Sequence, residues 1–281
     1  MARVVEEQRG LCRLAGDFDG WAEVSGRFRH LAGSAADYPA VGDWVAVAAD
    51  TGAERAVVHV RLERRSTVSR KAAGRASDQQ VLAANVDTIF LVTALAGDLN
   101  PRRLERYLTM VWEAGAVPVV VLNKADLSED PAAVVEATRE RLPFVDVVSV
   151  SALHADGLDA LVPYLTPAAT IALLGSSGVG KSTIVNRLLG EDVHTVAGVR
   201  DSDGKGRHTT TSRQLVELPG GALLIDTPGM RELQPWADES AVDGAFEDIA
   251  EIALACRFPD CAHAEEPGCA VLGAARPRGG V

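Results

Sequence analysis

The chain has 281 residues, 47% hydrophobic, 24% charged and only 5% aromatic. That is an ordinary globular composition; it excludes a disordered tail, a collagen or a disulfide-dense mini-protein, and leaves Val, Ala and Leu to fill the core. The net charge of −11, taken whole, argues against a nucleic-acid binder, because neutralising phosphates needs Lys and Arg.

The charge is unevenly distributed. Arg61, Arg64, Arg65, Arg70, Lys71 and Arg75 crowd one stretch, opposed there only by Glu63, which reads either as a solvated linker or as a strip for phosphate contacts. No apolar run approaches the roughly 18 residues that span a bilayer. Glu6, Glu7 and Asp17 interrupt the start where a signal peptide needs an unbroken apolar stretch. A soluble, cytoplasmic protein with no membrane partner is expected.

In chain order, residues 1 to 65 read as β. WAEVSG, DWVAVAA and AVVHVRLE alternate or carry β-branched residues and are punctuated by Gly and Pro. Some five short strands suggest a small barrel of the OB type. Cys12, in LCRLAG, reads as a small buried hydrophobe. The basic stretch 61–80 reads as a linker. VDTIFLVTA (86–94) and VPVVVLN (117–123) are continuous apolar runs, as buried parallel strands require. Between them PRRLERYLTMVWEAGA (101–116) is helical, with Pro101 suited to a first turn. A helix over 131–141, a strand over 145–149 and a helix over 157–165 follow. TIALLG (170–175) leads into a helix beginning near Gly180, and SRQLVEL and ALLIDT read as adjacent strands. Strands alternating with helices predict an α/β domain with a mostly parallel sheet. From residue 240 the chain reads as helical and then as metal-binding.

Gly175, Ser176, Ser177, Gly178, Val179, Gly180, Lys181 and Ser182, with Thr183 following, fit GxxxxGK[ST] between an apolar strand and a helix. Glycines let backbone N–H groups turn inward around phosphate oxygens, and the helix N-terminus adds partial positive charge. Lys181 reaches the β- and γ-phosphates and Ser182 ligates Mg²⁺. Asn123, Lys124 and Asp126 form NKxD at a strand end. The Asp126 carboxylate can accept from guanine N1–H and from the exocyclic amine. Adenine has no such donor pair, and a buried carboxylate left unpaired is costly. Lys124 can lie along the base and Asn123 can tie this loop to the phosphate loop. Ser151 and Ala152 can offer a backbone N–H to guanine O6. Asp226 and Gly229, in DTPG, suit the Mg²⁺ shell and the γ-phosphate. One of Thr209 or Thr210, in GRHTTT, can complete Mg²⁺ coordination. Residues 191–208 read as a segment ordered by triphosphate or as a plain surface loop.

Cys256, Cys261, His263 and Cys269 supply three thiolates and an imidazole, a closed tetrahedral set for one structural Zn²⁺. The alternative is three free cysteines, one of them disulfide-bonded.

The four guanine-nucleotide signatures stand in an unusual order. NKxD and SA, at 123 and 151, precede the phosphate loop at 175, whereas ordinary GTPases begin with that loop. Joining old termini and opening new ones keeps the sheet, so a circularly permuted GTPase is expected. The sequence resembles the ribosome small-subunit-dependent GTPase A family. The resemblance covers nearly the whole chain and rests on VGDWV (41–45), RRSTVSRKAAG (64–74), QVLAANVD (80–87), NKAD, GSSGVGKST, GRHTTTS, DTPG and the Cys/His cluster.

It implies an OB-fold RNA-binding domain over 1–66, a permuted GTPase domain over 67–238 and a zinc-binding domain over 239–281. It also implies GTP hydrolysis stimulated by the small ribosomal subunit and its rRNA, in late maturation of that subunit. Twelve residues follow Cys269, where the family usually carries a longer helical segment.

Where many GTPases place a water-orienting Gln after DxxG, this chain has Met230. His208, beside the switch threonines, is the candidate to position the attacking water, and the resemblance points the same way; the alternative is a His simply exposed in a loop. The catalytic set is then His208, Lys181, Thr209 and Thr210, with slow intrinsic hydrolysis. A monomer is expected. Two other functions fit the same motifs: a nucleotide-gated RNA-binding module whose turnover is incidental, and a GTPase serving metal delivery.

Overall fold

The computed structural model describes residues 1–8, 10–48, 54–71, 79–190, 213–226, 252, 255–257 and 268–270. The chain divides into two compact units, Met1–Gln234 and Pro235–Val281. The first unit opens with β1 (Ala2–Gln8), β2 (Leu11–Gly16), β3 (Gly20–Val24), a short helix α1 (Gly26–Leu31), β4 (Trp44–Ala48) and β5 (Arg55–Arg61). Alternate residues of these strands point inward. Ala2, Val4, Cys12, Leu14, Ala22, Val24, Val45, Ala56 and Val58 make one buried cluster. The strands pair in the order β1-β2-β3-β5-β4, and β1 closes the ring on β4 through Ala2↔Val45 and Arg3↔Trp44. This is the expected five-stranded, OB-like barrel.

A hairpin follows, β6 (Thr67–Lys71) with β7 (Gln79–Ala84), so the described part of the stretch expected to be a linker is paired β-structure. The reason lies in pattern: Val68, Val81, Leu82, Ala83 and Ala84 are buried, and the charged residues between them masked that signal.

The remaining elements are β8 (Thr88–Ala94), α2 (Pro101–Glu113), β9 (Val117–Asn123), α3 (Pro131–Arg141), β10 (Asp146–Ser149), β11 (Thr170–Leu174), α4 (Lys181–Leu188), β12 (Arg213–Glu217) and β13 (Leu223–Asp226). Both α2 and α3 start on an Asn-Pro or Asp-Pro step. The Asn100 and Asp130 side chains accept from Arg103 N–H and Ala133 N–H, with proline at the first turn. The expected helix over 157–165 is a 3-10 helix, Leu158–Tyr164, with Pro163 inside it.

The sheet runs β10-β9-β8-β11-β13-β12, parallel except for β12. Its strands alternate between two cores. Ile89, Leu91, Val120 and Leu122 join Leu104, Leu108 and Val111 of α2 on one face. Phe90, Val92, Val119 and Val121 join Leu161 and Ile184 on the other.

Barrel and sheet are continuous. After a bulge between Val4 and Glu6, β1 pairs with β12 through Glu6↔Gln214 and Glu7↔Arg213. A buried polar node reinforces this seam. Arg3, 7% exposed, donates to the Gly42 and Asn85 carbonyls and, at 2.8 Å, to Thr170 Oγ1 at the head of β11. Arg64 makes a two-bond pair with Asp43, at 2.8 and 2.7 Å. Arg65 pairs with Asp87 at 3.2 Å, and Asp87 in turn accepts from Thr170 N–H. Of these two arginines of the basic stretch, Arg64 is buried in its pair, whereas Arg65 stays largely exposed beside Asp87. Among the described residues, no helix is long and apolar enough to cross a membrane.

Candidate nucleotide-binding site

The predicted loops gather at one edge of the sheet. Asn123 is the last residue of β9, Ser151 lies just beyond β10, Gly175 follows β11 and Asp226 ends β13. The C-terminal ends of parallel strands are where open α/β sheets bind ligands.

The phosphate loop is built on glycines that no other residue could replace. Gly175 has φ +154°, and a Cβ there would meet Val92 O at 2.0 Å; at Gly180, φ +97°, it would meet Asn123 Nδ2 at 2.2 Å. Lys181 is buried, and its Nζ donates to the Gly175 and Ser176 carbonyls at 2.6 Å each. It therefore stands inside the ring of the loop that would enclose a phosphate. Ser182 and Thr183 follow, half-buried in the first turn of α4. The donor set fits a triphosphate with Mg²⁺: inward backbone N–H groups, one ammonium and a helix-first-turn hydroxyl.

On the base side, Asn123 is 2% exposed and bridges two loops. Its Nδ2 donates to Val179 O at 2.8 Å and its Oδ1 accepts from Ala152 N–H at 3.1 Å. Lys124 turns through the left-handed region, φ 62°, into the 3-10 helix Ala125–Leu127 that carries Asp126. The Ser151 hydroxyl donates a short hydrogen bond to Asp126 Oδ1. That bond, helped by the Asp126 backbone N–H and by the His154 and Lys124 charges, holds the Asp126 carboxyl below the usual carboxylate range. His154 Nε2 stands 3.8 Å from the other oxygen, Oδ2.

One expectation needs refinement. The two N–H groups offered to guanine O6 already have acceptors: Ser151 N–H donates to Asp156 O at 2.9 Å and Ala152 N–H to Asn123 Oδ1. Contact with O6 then requires a shared bond from Ala152 or a donor further along the loop. Two neighbours of this site, His154 and Arg187, carried no sequence signal: neither belongs to a motif, and Arg187 meets the loop only through the fold.

Of the other predicted residues, Thr209, Thr210, His208 and Gly229 lie outside the described residues, as do Cys261 and His263. Asp226 is described by its backbone. Among the described residues no group of three metal-ligating side chains occurs. In the second unit, Cys256 Sγ and Cys269 Sγ stand 3.9 Å apart and Ala270 N–H points at Cys256 Sγ from 3.3 Å.

A parallel sheet whose phosphate loop comes after its base-recognition loops in the chain, joined to a five-stranded barrel, defines a circularly permuted GTPase. The family model described as RsgA GTPase matches residues 61–236. A small ribosomal subunit biogenesis GTPase RsgA of Opitutus terrae is 50% identical over 283 residues, 97% of this chain and 77% of that one. Its counterpart from Methanosarcina acetivorans is 53% identical over 240 residues, 85% of this chain and 64% of that one. This chain belongs to the RsgA GTPase family. Two solved structures share the fold: YjeQ from Thermotoga maritima (TM-score 0.68, 24% identity, 97% of this chain and 90% of that one) and YloQ, a circularly permuted GTPase (0.62, 26%, 97% and 86%).

Proposed function

We propose that this chain hydrolyses GTP to GDP and phosphate as a switch in late maturation of the small ribosomal subunit, and that the subunit stimulates the reaction. The observation that carries the reading is Asn123, a single buried side chain hydrogen-bonded to the phosphate loop at Val179 and to the base loop at Ala152. It makes one frame of the parts that would hold the two ends of a guanine nucleotide. The name its relatives carry, small ribosomal subunit biogenesis GTPase, supports the partner and, with it, a cytoplasmic location.

In this reading Asp126 takes guanine N1–H and the exocyclic amine, Lys124 flanks the base, and residues 151–153 meet O6. Gly175 to Gly180 wrap the phosphates, and Lys181 leaves its two carbonyls for the β- and γ-phosphates. Ser182, one of Thr209 or Thr210, and the Asp226 shell would hold Mg²⁺, which would supply positive charge beside the β- and γ-phosphates. Gly229 contacts the γ-phosphate, and His208 positions the attacking water in place of the glutamine that Met230 replaces. With no glutamine, turnover without the subunit is slow.

The proposed domains are 1–66, 67–238 and 239–281, in a monomer. Cys256, Cys261, His263 and Cys269 are proposed to hold one structural Zn²⁺. The Cys256–Cys269 separation supports this: a tetrahedral site with Zn–S of about 2.3 Å has sulfur–sulfur edges of about 3.8 Å, close to the 3.9 Å here and far from a disulfide's ~2.05 Å. The Ala270 N–H donor to sulfur suits a thiolate.

The test is GTP and ATP hydrolysis with and without purified small subunits. A large stimulation specific to GTP is expected. Equal binding of ATP, or no response to subunits, overturns the reading.

A further inference from the structure

We infer that Arg187 is a positioning residue for base recognition: its guanidinium pins the loop Ala152–Leu153 to the helix that starts at the phosphate loop. Arg187 lies in the last turn of α4. Its Nε donates to Ala152 O at 3.1 Å and its Nη2 to Leu153 O at 2.7 Å. One planar fork thus holds two consecutive carbonyls, a geometry a lysine cannot reproduce.

The consequence follows from peptide planarity. In a trans peptide the N–H of the next residue points opposite to the C=O. Fixing Ala152 O therefore fixes the direction of Leu153 N–H, and fixing Leu153 O fixes that of His154 N–H. These directions matter because Ser151 N–H and Ala152 N–H already have acceptors, so Leu153 N–H becomes a donor available to guanine O6. The same anchoring sets where His154 begins, and its imidazole stands 3.8 Å from Asp126.

Other restraints act on either side of Leu153. The Ser151 hydroxyl and Asn123 hold residues 151 and 152, and the Ser151–Asp156 bridge closes the base of the loop. Downstream, the chain passes through Gly157, where a Cβ would meet Ser149 O at 2.6 Å, into the 3-10 helix Leu158–Tyr164. Arg187 closes a ring: phosphate loop to Asn123, Asn123 to base loop, base loop to α4, α4 back to the phosphate loop.

This inference rests on the reading that residues 151–153 meet guanine O6, and the test separates the two. The full chain, as wild type, Arg187→Met and Arg187→Lys, is titrated with GDP and with 6-thio-GDP, whose sulfur is a poor acceptor. Melting temperature is recorded alongside. Wild type is expected to prefer GDP. R187M should bind GDP about tenfold more weakly, through faster release, and its GDP/6-thio-GDP preference should fall toward one. R187K, which can reach one carbonyl and keeps α4 intact, should lie between. A merely structural arginine would weaken both ligands equally. An unchanged preference in R187M, or in R187K should R187M fail to fold, overturns the role of Arg187 alone. A wild type indifferent to sulfur at position 6 overturns the O6 reading and this inference together.

Discussion

Replacing Asp43 by Asn tests what ties the barrel's own connecting segments together. The Asp43 side chain is 0% exposed and that of Arg64 8%. Asp43 accepts two bonds from the Arg64 guanidinium, at 2.8 and 2.7 Å, and one from Ala40 N–H at 2.8 Å. Arg64 spends its other donors on Ala36 O and Tyr38 O at 2.8 and 2.9 Å. The carboxamide keeps the shape and removes the charge, and it turns an NH₂ toward a guanidinium that has only donors. Leaving one buried ion without its partner costs about 3–5 kcal/mol, a large share of the ~5–15 kcal/mol that stabilises a typical domain.

With a urea slope of about 2–3 kcal/mol/M, the unfolding midpoint should fall by roughly 1–2.5 M. Tryptophan fluorescence reports it, since Trp44 follows Asp43 directly and lies 5.4 Å below the Arg3 guanidinium. Far-UV circular dichroism is the second probe. Arg64→Met should cost a similar amount, but the double variant Asp43→Asn with Arg64→Met should cost less than the sum of the two by about 2 kcal/mol or more, because it strands no charge. A midpoint shift under ~0.5 M for D43N, or simple additivity in the double variant, would refute the reasoning.

Asp126→Asn should lower GTP affinity by at least about a hundredfold while improving XTP binding, since the carboxamide N–H₂ meets a carbonyl at position 2; competition binding reads it. The lowered Asp126 pKa favours the ionised form, so its contribution is present above the usual carboxylate range and lost only as pH falls through the depressed value. GDP affinity should therefore stay level from pH 7 to about 5, and Ser151→Ala should move the acid loss to higher pH. Gly175→Ala, with a Cβ 2.0 Å from Val92 O, should abolish fluorescent GDP binding; retained binding would mean the loop can shift. Burial pushes the Cys12 thiol up to about 12, so it stays neutral and should resist iodoacetamide at about pH 8 until the barrel is unfolded.

The sequence made the chemistry legible where the chemistry is local. The phosphate loop and NKxD each lie within a few consecutive residues, and the strands under them are unbroken apolar runs such as VPVVVLN. Helix starts were legible for the same reason, Asn100-Pro101 and Asp130-Pro131 being adjacent. The hairpin β6–β7 was missed because its apolar residues are diluted by arginines, whereas the 157–165 helix was legible as a helix though not as a 3-10 one.

The least legible feature is the polar node, and it explains stretches that motif chemistry left unread. VGDWV supplies Gly42, Asp43 and Trp44; RRSTVSRKAAG supplies Arg64 and Arg65; QVLAANVD supplies Asn85 and Asp87. Arg3 reaches Asn85 across 82 positions and Thr170 across 167, separations that no periodicity encodes. A buried guanidinium with only neutral direct acceptors is costly to bury. Its retention is better understood as fixing geometry than as adding stability, for Thr170 heads the strand that ends at Gly175. β1 runs from that node to pair with β12, the neighbour of the strand that ends at Asp226. Barrel and nucleotide sheet therefore share a backbone pairing, β1 with β12, and a side-chain link, Arg3 with Thr170 at the head of β11.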